Sequence, residues 1–275
     1  MIELPEAAVL ARQINDTVSG KKIKQVIAAH SPHKFAWYQG DPEKYQDILQ
    51  GKIIDSAEGF GGMVEIKAED TRIVFGDGVS LRYCEDQDKR PSKHQLMIEF
   101  ADSTVICASV QMYGGLWCFV QGDFENQYYQ QAKAKSSPLS DRFDHNYFHS
   151  LVSVETVEKL SSKAFLATEQ RIPGLGNGVL QDILFNAGLH PKKKVKTFTA
   201  EDKENLFNSI KHTLSEMTSQ GGRDTEKDLY GCPGGYKTKL SKLTAGKPCP
   251  ICDTTIVKEA YMGGSVYYCV NCQRL

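Results

Sequence analysis

The chain has no run of apolar residues long enough to cross a bilayer, which excludes a helical membrane anchor within these 275 residues. Its first residues, Met1-Ile2-Glu3-Leu4-Pro5-Glu6, carry neither a basic stretch nor an apolar one. A secretory signal is therefore not expected, and a cytoplasmic location is. Charge of one sign is also missing: the formal net charge is −1, too little to argue by itself for a polyanionic partner. Internal repeats are absent, which removes solenoids and propellers. An aromatic-rich platform for single strands is not evident along the chain either, and that counts against RNA.

The charge is unevenly shared. Residues 1–150 carry 16 Lys+Arg against 21 Asp+Glu, a net of −5, and residues 151–275 carry 17 against 13, a net of +4. Lys192, Lys193, Lys194 and Lys196 cluster in the second part. This permits a nucleic-acid partner without demanding one.

Of the eight cysteines, Cys84, Cys107 and Cys118 sit in apolar surroundings typical of buried free thiols, and Cys232 stands alone. Cys249-x-x-Cys252 and Cys269-x-x-Cys272 flank sixteen residues with a hairpin signal at Met262-Gly263-Gly264-Ser265. Two such knuckles at the ends of a hairpin bring four thiolates to one point, the pattern of a closed Cys₄ zinc site. A tail this short has no core of its own, so one structural zinc per chain would supply its folding energy.

Along the chain, residues 3–19 have a helical period through Val9, Leu10, Ile14 and Val18 that ends at Gly20. From Ile23 to about Phe119 short apolar or alternating runs follow: 23–29, 63–66, 73–75, 79–83, 95–100, 104–110 and 116–120. Turn signals such as Gly76-Asp77-Gly78 separate them. Strands at this spacing predict a β-sandwich or barrel. Residues 121–137 read as a linker, and helices return at 144–152, 154–166, 179–190 and 199–217. Residues 223–245 have little pattern and are expected to be an ordered loop or a mobile flap. The reading is α+β: residues 1–130 a helix and sandwich, 131–245 helical, 246–275 the zinc finger.

The stretch Arg171-Ile172-Pro173-Gly174-Leu175-Gly176-Asn177-Gly178 opens the 179–190 helix. Backbone N–H groups there, with the positive end of the helix dipole and the Asn177 amide, could clamp a phosphate. On this stretch alone the plainer reading, an Asn N-cap with glycines in a tight turn, is the favoured one.

Taken together, Glu-Leu-Pro-Glu on an N-terminal helix, a sandwich, Gly-x-Gly-Asn before a helix and a Cys₄ hairpin occur in an order that resembles the formamidopyrimidine-DNA glycosylase/endonuclease VIII family. Further matches lie at Pro138-Leu139-Ser140-Asp141 with Phe143, at Ala187-Gly188-Leu189-His190-Pro191, and at Tyr267-Tyr268-Cys269 with Cys272-Gln273. The resemblance spans the whole chain, includes a helix–two-turn–helix element, and implies a monomeric DNA-repair enzyme of the bacterial cytosol or nucleoid. It implies that damaged duplex DNA is bound, the lesion flipped out, and the sugar C1′ attacked by the N-terminal amine with Glu3 as proton shuttle and Glu6 beside it. Strand cleavage by β,δ-elimination would follow.

Departures from the family pattern fall on the chemistry. Ile2 stands where the family has proline, so the amine would belong to Ile2, or to Met1 if Met1 is retained, as a bulky second residue favours. The family's phosphate-holding lysine of the sandwich falls near Gly61-Gly62, and its zinc-finger arginine at or beside Gly264. Its wedge falls at Met112-Tyr113-Gly114, where Met112 and Tyr113 could fill the gap in the stack. Lys163, Gly176 and Asn177 match the family's DNA contacts. The other reading of this scaffold is a catalytically silent protein that binds DNA lesions or DNA structures.

Overall fold

The computed structural model describes all 275 residues, the side chain of Gln87 excepted. Helix α1 (Leu4–Val18) opens at Glu3, whose extended backbone donates its N–H to Glu6 Oε2 at 3.3 Å, with Pro5 in the first turn. That is the reciprocal half of a capping box. Strands β1 (Ile23–Ala28) and β2 (Ala36–Tyr38) precede the short α2 (Tyr45–Leu49). Then come β3 (Ile54–Phe60), β4 (Met63–Ala68), β5 (Thr71–Cys84), β6 (Leu96–Phe100) and β7 (Val105–Val120). They join in the order β1-β6-β7-β5-β4-β3, with β2 added parallel to β7. Both halves of the sheet enclose one apolar core, in which Ile66, Ile73 and Phe75 meet Leu81, Ile98 and Ile106.

Two pairs of expected strands fuse here. Gly76-Asp77-Gly78 is not a turn between strands but a bulge inside β5, where the register against β7 shifts between Asp77 and Val79. Asp77 takes φ +55°, and a Cβ on Gly78 would stand 2.3 Å from the Tyr113 carbonyl oxygen. A bulge bends a strand without ending it, so these glycines mark a bend where the sequence predicts a break. Strand β7 likewise runs unbroken through Met112–Gly115. Strand β3 has no apolar alternation to reveal it, because only its end residues are buried. Its edge is occupied by Asn15 of α1, which exchanges two hydrogen bonds with the Ala57 backbone (2.8 and 2.6 Å). Gly59 lets the helix close on that strand, since a Cβ there would lie 2.4 Å from the Ala7 carbonyl oxygen.

The second half is helical. The expected linker contains α3 (Gln127–Ala134), N-capped by Asn126 and packed by Tyr129 on Phe60, Phe119 and Phe124. Helix α4 (His145–Val152) follows. The expected 154–166 helix is instead a 3₁₀ turn at Glu155–Val157 and α5 (Ser162–Ala167). Ser161 caps α5 by accepting from Ala164 N at 3.2 Å, and this N-cap starts a helix where periodicity alone runs it together with the preceding turn. Helix α6 (Val179–Asn186) ends before Gly188, which takes φ +69°, and α7 (Ala200–Ser219) starts from a Thr199–Asp202 capping box. These helices share a core around Phe148, Phe165, Ile183, Leu206, Ile210 and Leu214.

Helix α1 ties the halves together: Leu4 packs in the helical core, while Ala7, Leu10, Ile14 and Val18 pack in the sandwich core. The segment after α7 lies along the exposed side of α1. Arg223 reaches Glu6, Asp228 accepts from Gln13 Nε2 (2.9 Å), Leu229 N donates to Gln13 Oε1 (3.0 Å), and Tyr230 meets Thr17 (2.6 Å). Leu229 is fully buried in the sandwich core. Residues 223–230 of the segment expected to be an ordered loop or a mobile flap are packed against α1. The chain closes with the hairpin β8 (Val257–Tyr261) and β9 (Gly264–Tyr268). No helix is long and apolar enough to cross a membrane among the described residues.

Truncating Leu229 removes the apolar anchor of this strap. Leu229→Ala is expected to cost about 2–5 kcal/mol of unfolding free energy, read as a lowered urea midpoint with an unchanged slope.

Candidate active site and metal centre

The cleft between the halves encloses about 980 Å³ and is lined by Ile2, Glu3, Asp77, Tyr128, Lys163 and Asn177, among others. Its floor is built where the start of the chain meets the start of α6. Glu3 is buried, and its carboxylate accepts from Gly178 N at 2.9 Å and from Val179 N at 2.7 Å. The N–H groups expected to be free for a phosphate are thus filled from within the chain, by an anion placed at the positive end of a helix. The N-cap position is Gly178, and Asn177 does not cap: its Nδ2 donates to Ser265 O at 3.0 Å.

The glycines of the Gly-x-Gly-Asn-Gly run are explained by this arrangement. A Cβ on Gly176 would stand 2.6 Å from Glu3 Oε1, and one on Gly178 would stand 1.6 Å from Arg223 Nη1. Gly176 therefore makes room for a carboxylate of the chain itself.

Arg223 is the site residue that sequence reasoning misses. It is buried, donates to Glu6 Oε1 through Nε (2.9 Å) and to Glu6 Oε2 through Nη2 (2.7 Å), and lies 3.5 Å from Glu3 Oε2. Nothing in an unpatterned Gly-Gly-Arg-Asp run announces a buried cation 217 positions from its partner. Burial alone would lower the Arg223 pKa, but the two carboxylates outweigh it and hold the guanidinium firmly charged. Burial pushes the Glu3 carboxyl above its ordinary value, against the pull of Arg223 and of the two N–H groups. The Glu6 carboxylate is engaged by Arg223 and by the Glu3 N–H.

Beside Glu3, the side chain of Ile2 is buried and its N–H donates to the Asp77 carbonyl at 2.7 Å. The left-handed bulge at Asp77 aims that carbonyl at residue 2. The Asp77 carboxylate accepts from the Tyr128 hydroxyl at 3.0 Å, and burial pushes its pKa up. The Met1 ammonium pairs with Glu226, on the same strap that carries Arg223. Met1 lines the cleft and also a neighbouring cavity of about 490 Å³ between β5 and the strap.

Lys163 is buried rather than solvated. Its Nζ donates to Tyr261 O at 2.7 Å, and burial lowers its pKa. Lys163 and Asn177 thus converge on the hairpin tip, 3.5 and 3.6 Å from where a Gly264 side chain would begin. Met112 and Tyr113 stand exposed at the cleft mouth, 63% and 37% accessible. They are not alone there: Phe35 and Trp37 on the neighbouring β2 segment are 46% and 45% accessible. Pairing of β2 with β7 assembles an aromatic surface that is not visible along the chain, because Trp37 and Tyr113 belong to distant segments.

Four thiols converge at the chain end. The Sγ atoms of Cys249, Cys252, Cys269 and Cys272 lie within 4.8 Å of one another, with contacts of 3.4 and 3.8 Å. Four thiolates around a metal at about 2.3 Å would stand about 3.8 Å apart, so this donor set fits a closed, tetrahedral, thiophilic metal ion. The hairpin is fixed to α6 by Gln181, which bonds Ser265 O (3.2 Å) and Tyr267 N (3.1 Å), and by Gln273, which bonds Leu189 O (2.9 Å).

The match to a sequence profile described as the formamidopyrimidine-DNA glycosylase N-terminal domain covers residues 1–156. Over 99% of this chain and 99% of the relative, 26% of residues are identical to a formamidopyrimidine-DNA glycosylase of Bacillus anthracis. With the corresponding protein of Wolbachia pipientis wMel the identity is 28%, over 99% and 100% of the two chains. Among solved structures, the fold is similar to the MutM (Fpg) protein of Thermus thermophilus, with TM-score 0.81, 22% identity and 98% of each chain covered. It is similar to Lactococcus lactis Fpg in complex with abasic-site DNA, with TM-score 0.83, 22% identity and 99% and 100% covered.

Removing the guanidinium would leave two buried carboxylates without their counter-charge. Arg223→Met is expected to cost about 3–5 kcal/mol at pH 7. A carboxyl whose folded pKa is raised stabilises fully below its unfolded value, about 4.5 for glutamate, and loses that contribution as pH rises through the folded value. Arg223→Met raises the Glu3 carboxyl further, so the gap to the parent protein should narrow from pH 7 toward pH 4.5 in urea titrations. A gap that widens toward acid would refute the charge assignment.

Proposed function

Because this chain belongs to the formamidopyrimidine-DNA glycosylase family, we propose that it is a DNA-repair glycosylase that releases damaged bases from DNA through its N-terminal amine. The observation that carries this reading is the Glu3 carboxylate, held at the start of α6 and lining the same cleft as Met1 and Ile2. The amine attacks C1′ of a flipped nucleotide, the new C–N bond forming as the glycosidic bond breaks and its electron pair leaves with the base. The amine then gives one proton to Glu3, which passes it to the ring oxygen O4′ as the C1′–O4′ bond breaks and the nitrogen lone pair forms the C1′=N bond of a protonated Schiff base.

Glu3 suits the proton transfers. Burial raises its pKa, which favours uptake of a proton by the carboxylate. Glu6 acts through Arg223, as a positioning residue, since its oxygens are occupied. With Met1 retained, the attacking amine is the one beside Glu226; with Met1 removed, it is Ile2 N beside the Asp77 carbonyl. Lys163 and Asn177, at the wall of the cleft, hold the hairpin tip in place through its carbonyls, and their remaining N–H groups would serve a DNA backbone.

Sodium borohydride trapping on an abasic-site duplex, followed by peptide mapping, tests the reaction. A cross-linked N-terminal peptide is expected, and the intact mass of the protein identifies its first residue. Glu3→Gln should lose most turnover and keep DNA affinity. No cross-link and no base release from oxidised or alkylated lesions, with DNA binding intact, would give the scaffold to the silent DNA-binding reading.

We further propose that the metal of the Cys₄ site is zinc, with a structural role, since four protein thiolates leave no open position for a substrate. Elemental analysis of protein purified without added metal should give about one equivalent. Cys269→Ser should lower that content and expose the 246–275 tail to protease, and an unchanged content would refute it.

A further inference from the structure

Beside Met112 and Tyr113, where the resemblance puts the wedge, stand two aromatic residues to which it gives no role. Met112 and Tyr113 line the cleft, and Phe35 and Trp37 stand on the segment paired with theirs, each of the four between 37% and 63% accessible. Strand β2 is only three residues long, and it pairs parallel to β7 with Ala36 opposite Gly114 and Trp37 opposite Gly115. That short added strand brings the Trp37 ring to 5.7 Å from the Tyr113 ring, inclined by 31°. The Gly114 N–H fixes the approach by donating to the Phe35 carbonyl at 3.0 Å.

Exposed aromatic pairs across a sheet can simply be cross-strand packing, worth a fraction of a kcal/mol. Two observations point past that. The Trp37–Tyr113 pair adjoins the cleft, whose lining includes Met112 and Tyr113. The segment that carries Phe35 and Trp37 has no Asp or Glu from Thr17 to Gly40, and His30, His33 and Lys34 lead directly into Phe35; on the Tyr113 side an acidic neighbour, Asp77, stands opposite Gly114 in β5. Lys34 is exposed, sits 5.3 Å from the Phe35 ring centre, and has no carboxylate partner among the described residues. A cation interleaved with aromatic faces is the chemistry that takes a sugar-phosphate strand and stacks its bases.

We propose that Phe35, Trp37 and Tyr113 form a stacking shelf for an unpaired base of the DNA at the cleft, so that lesions in bubbles, forks or single strands are bound in preference to those in fully paired duplex. A paired base has both faces covered by its neighbours and cannot occupy the shelf. An unpaired base has a free π-face, and stacking it on an aromatic side chain is sequence-tolerant. The inference rests on the DNA reading above for its ligand but not on the chemistry of the amine.

The chain contains two tryptophans, and Trp117 is 7% accessible while Trp37 is 45%. Quenching of tryptophan emission by DNA therefore reports on Trp37. The probe is an oligonucleotide carrying a non-cleavable tetrahydrofuran abasic analogue, either in a fully paired duplex or in a bubble, at one salt concentration. Tighter binding and stronger quenching are expected with the bubble. Trp37→Leu should weaken bubble binding by about 5- to 100-fold, change duplex binding less than about twofold, and abolish most of the quenching, and Trp37→Phe should restore affinity. Phe35→Ala, outside the strand, gives an independent reading should Trp37→Leu not fold. Equal loss on both DNAs, no loss on either, or quenching that survives Trp37→Leu would overturn the shelf. An intact bubble preference without a borohydride cross-link would overturn the enzyme reading and leave the shelf standing, while a cross-linking protein indifferent to Trp37 would do the reverse.

Discussion

The rest of the structure depends on one buried charge cluster: Glu3 and Glu6 from the first turn of α1, Arg223 from the strap, and the first N–H groups of α6. Two carboxylates taken out of water are costly, and a single guanidinium only partly compensates. The helix dipole and two backbone donors supply the remainder at Glu3, and the Glu3 N–H with bidentate Arg223 supplies it at Glu6. Because its members come from three segments, the cluster forms only when the N-terminal helix, the helical half and the strap are all in place. The geometry of the cleft follows from that.

This explains why glycine is so frequent around the site. Gly176 and Gly178 make space for Glu3 and Arg223, Gly59 for α1 against β3, and Gly231 for the Arg82 guanidinium, which lies 1.0 Å from where its Cβ would be. These positions are constrained by close approach, not by flexibility. The strap beyond α7 is likewise fixed: Leu229 in the core, Asp228 and Tyr230 along α1, Glu226 on the Met1 ammonium. It braces the start of the chain and gives the Met1 ammonium a carboxylate partner in Glu226.

The elements on this wall of the cleft are held less by charge than by the Cys₄ hairpin. Gln181, Asn177 and Lys163 all bond to its backbone. Side chains that the family resemblance assigns to phosphate thus also set the position of the finger. Opposite them the aromatic surface around Trp37 gives the cleft a second, apolar lip. A groove with a polar wall and a stacking wall suits a strand whose bases are not all paired.

The amino-acid sequence by itself determined the elements that rest on local rules. The α1 stripe, the Thr199 cap, the stop at Gly188 and the double Cys-x-x-Cys are written in spacing and side-chain type, and the structure has each of them. Where a local signal has two meanings, a linear reading goes astray. Gly76-Asp77-Gly78 can end a strand or bulge it, and only pairing with β7 decides. A Gly-x-Gly-Asn turn can clamp an outside anion or an inside one, and only the fold brings Glu3 to it across 175 positions. Arg223 and Trp37 have no local signal at all. A buried ion pair and an aromatic shelf are defined by which distant segments meet, and that meeting is a property of the packed core, not of any stretch of sequence.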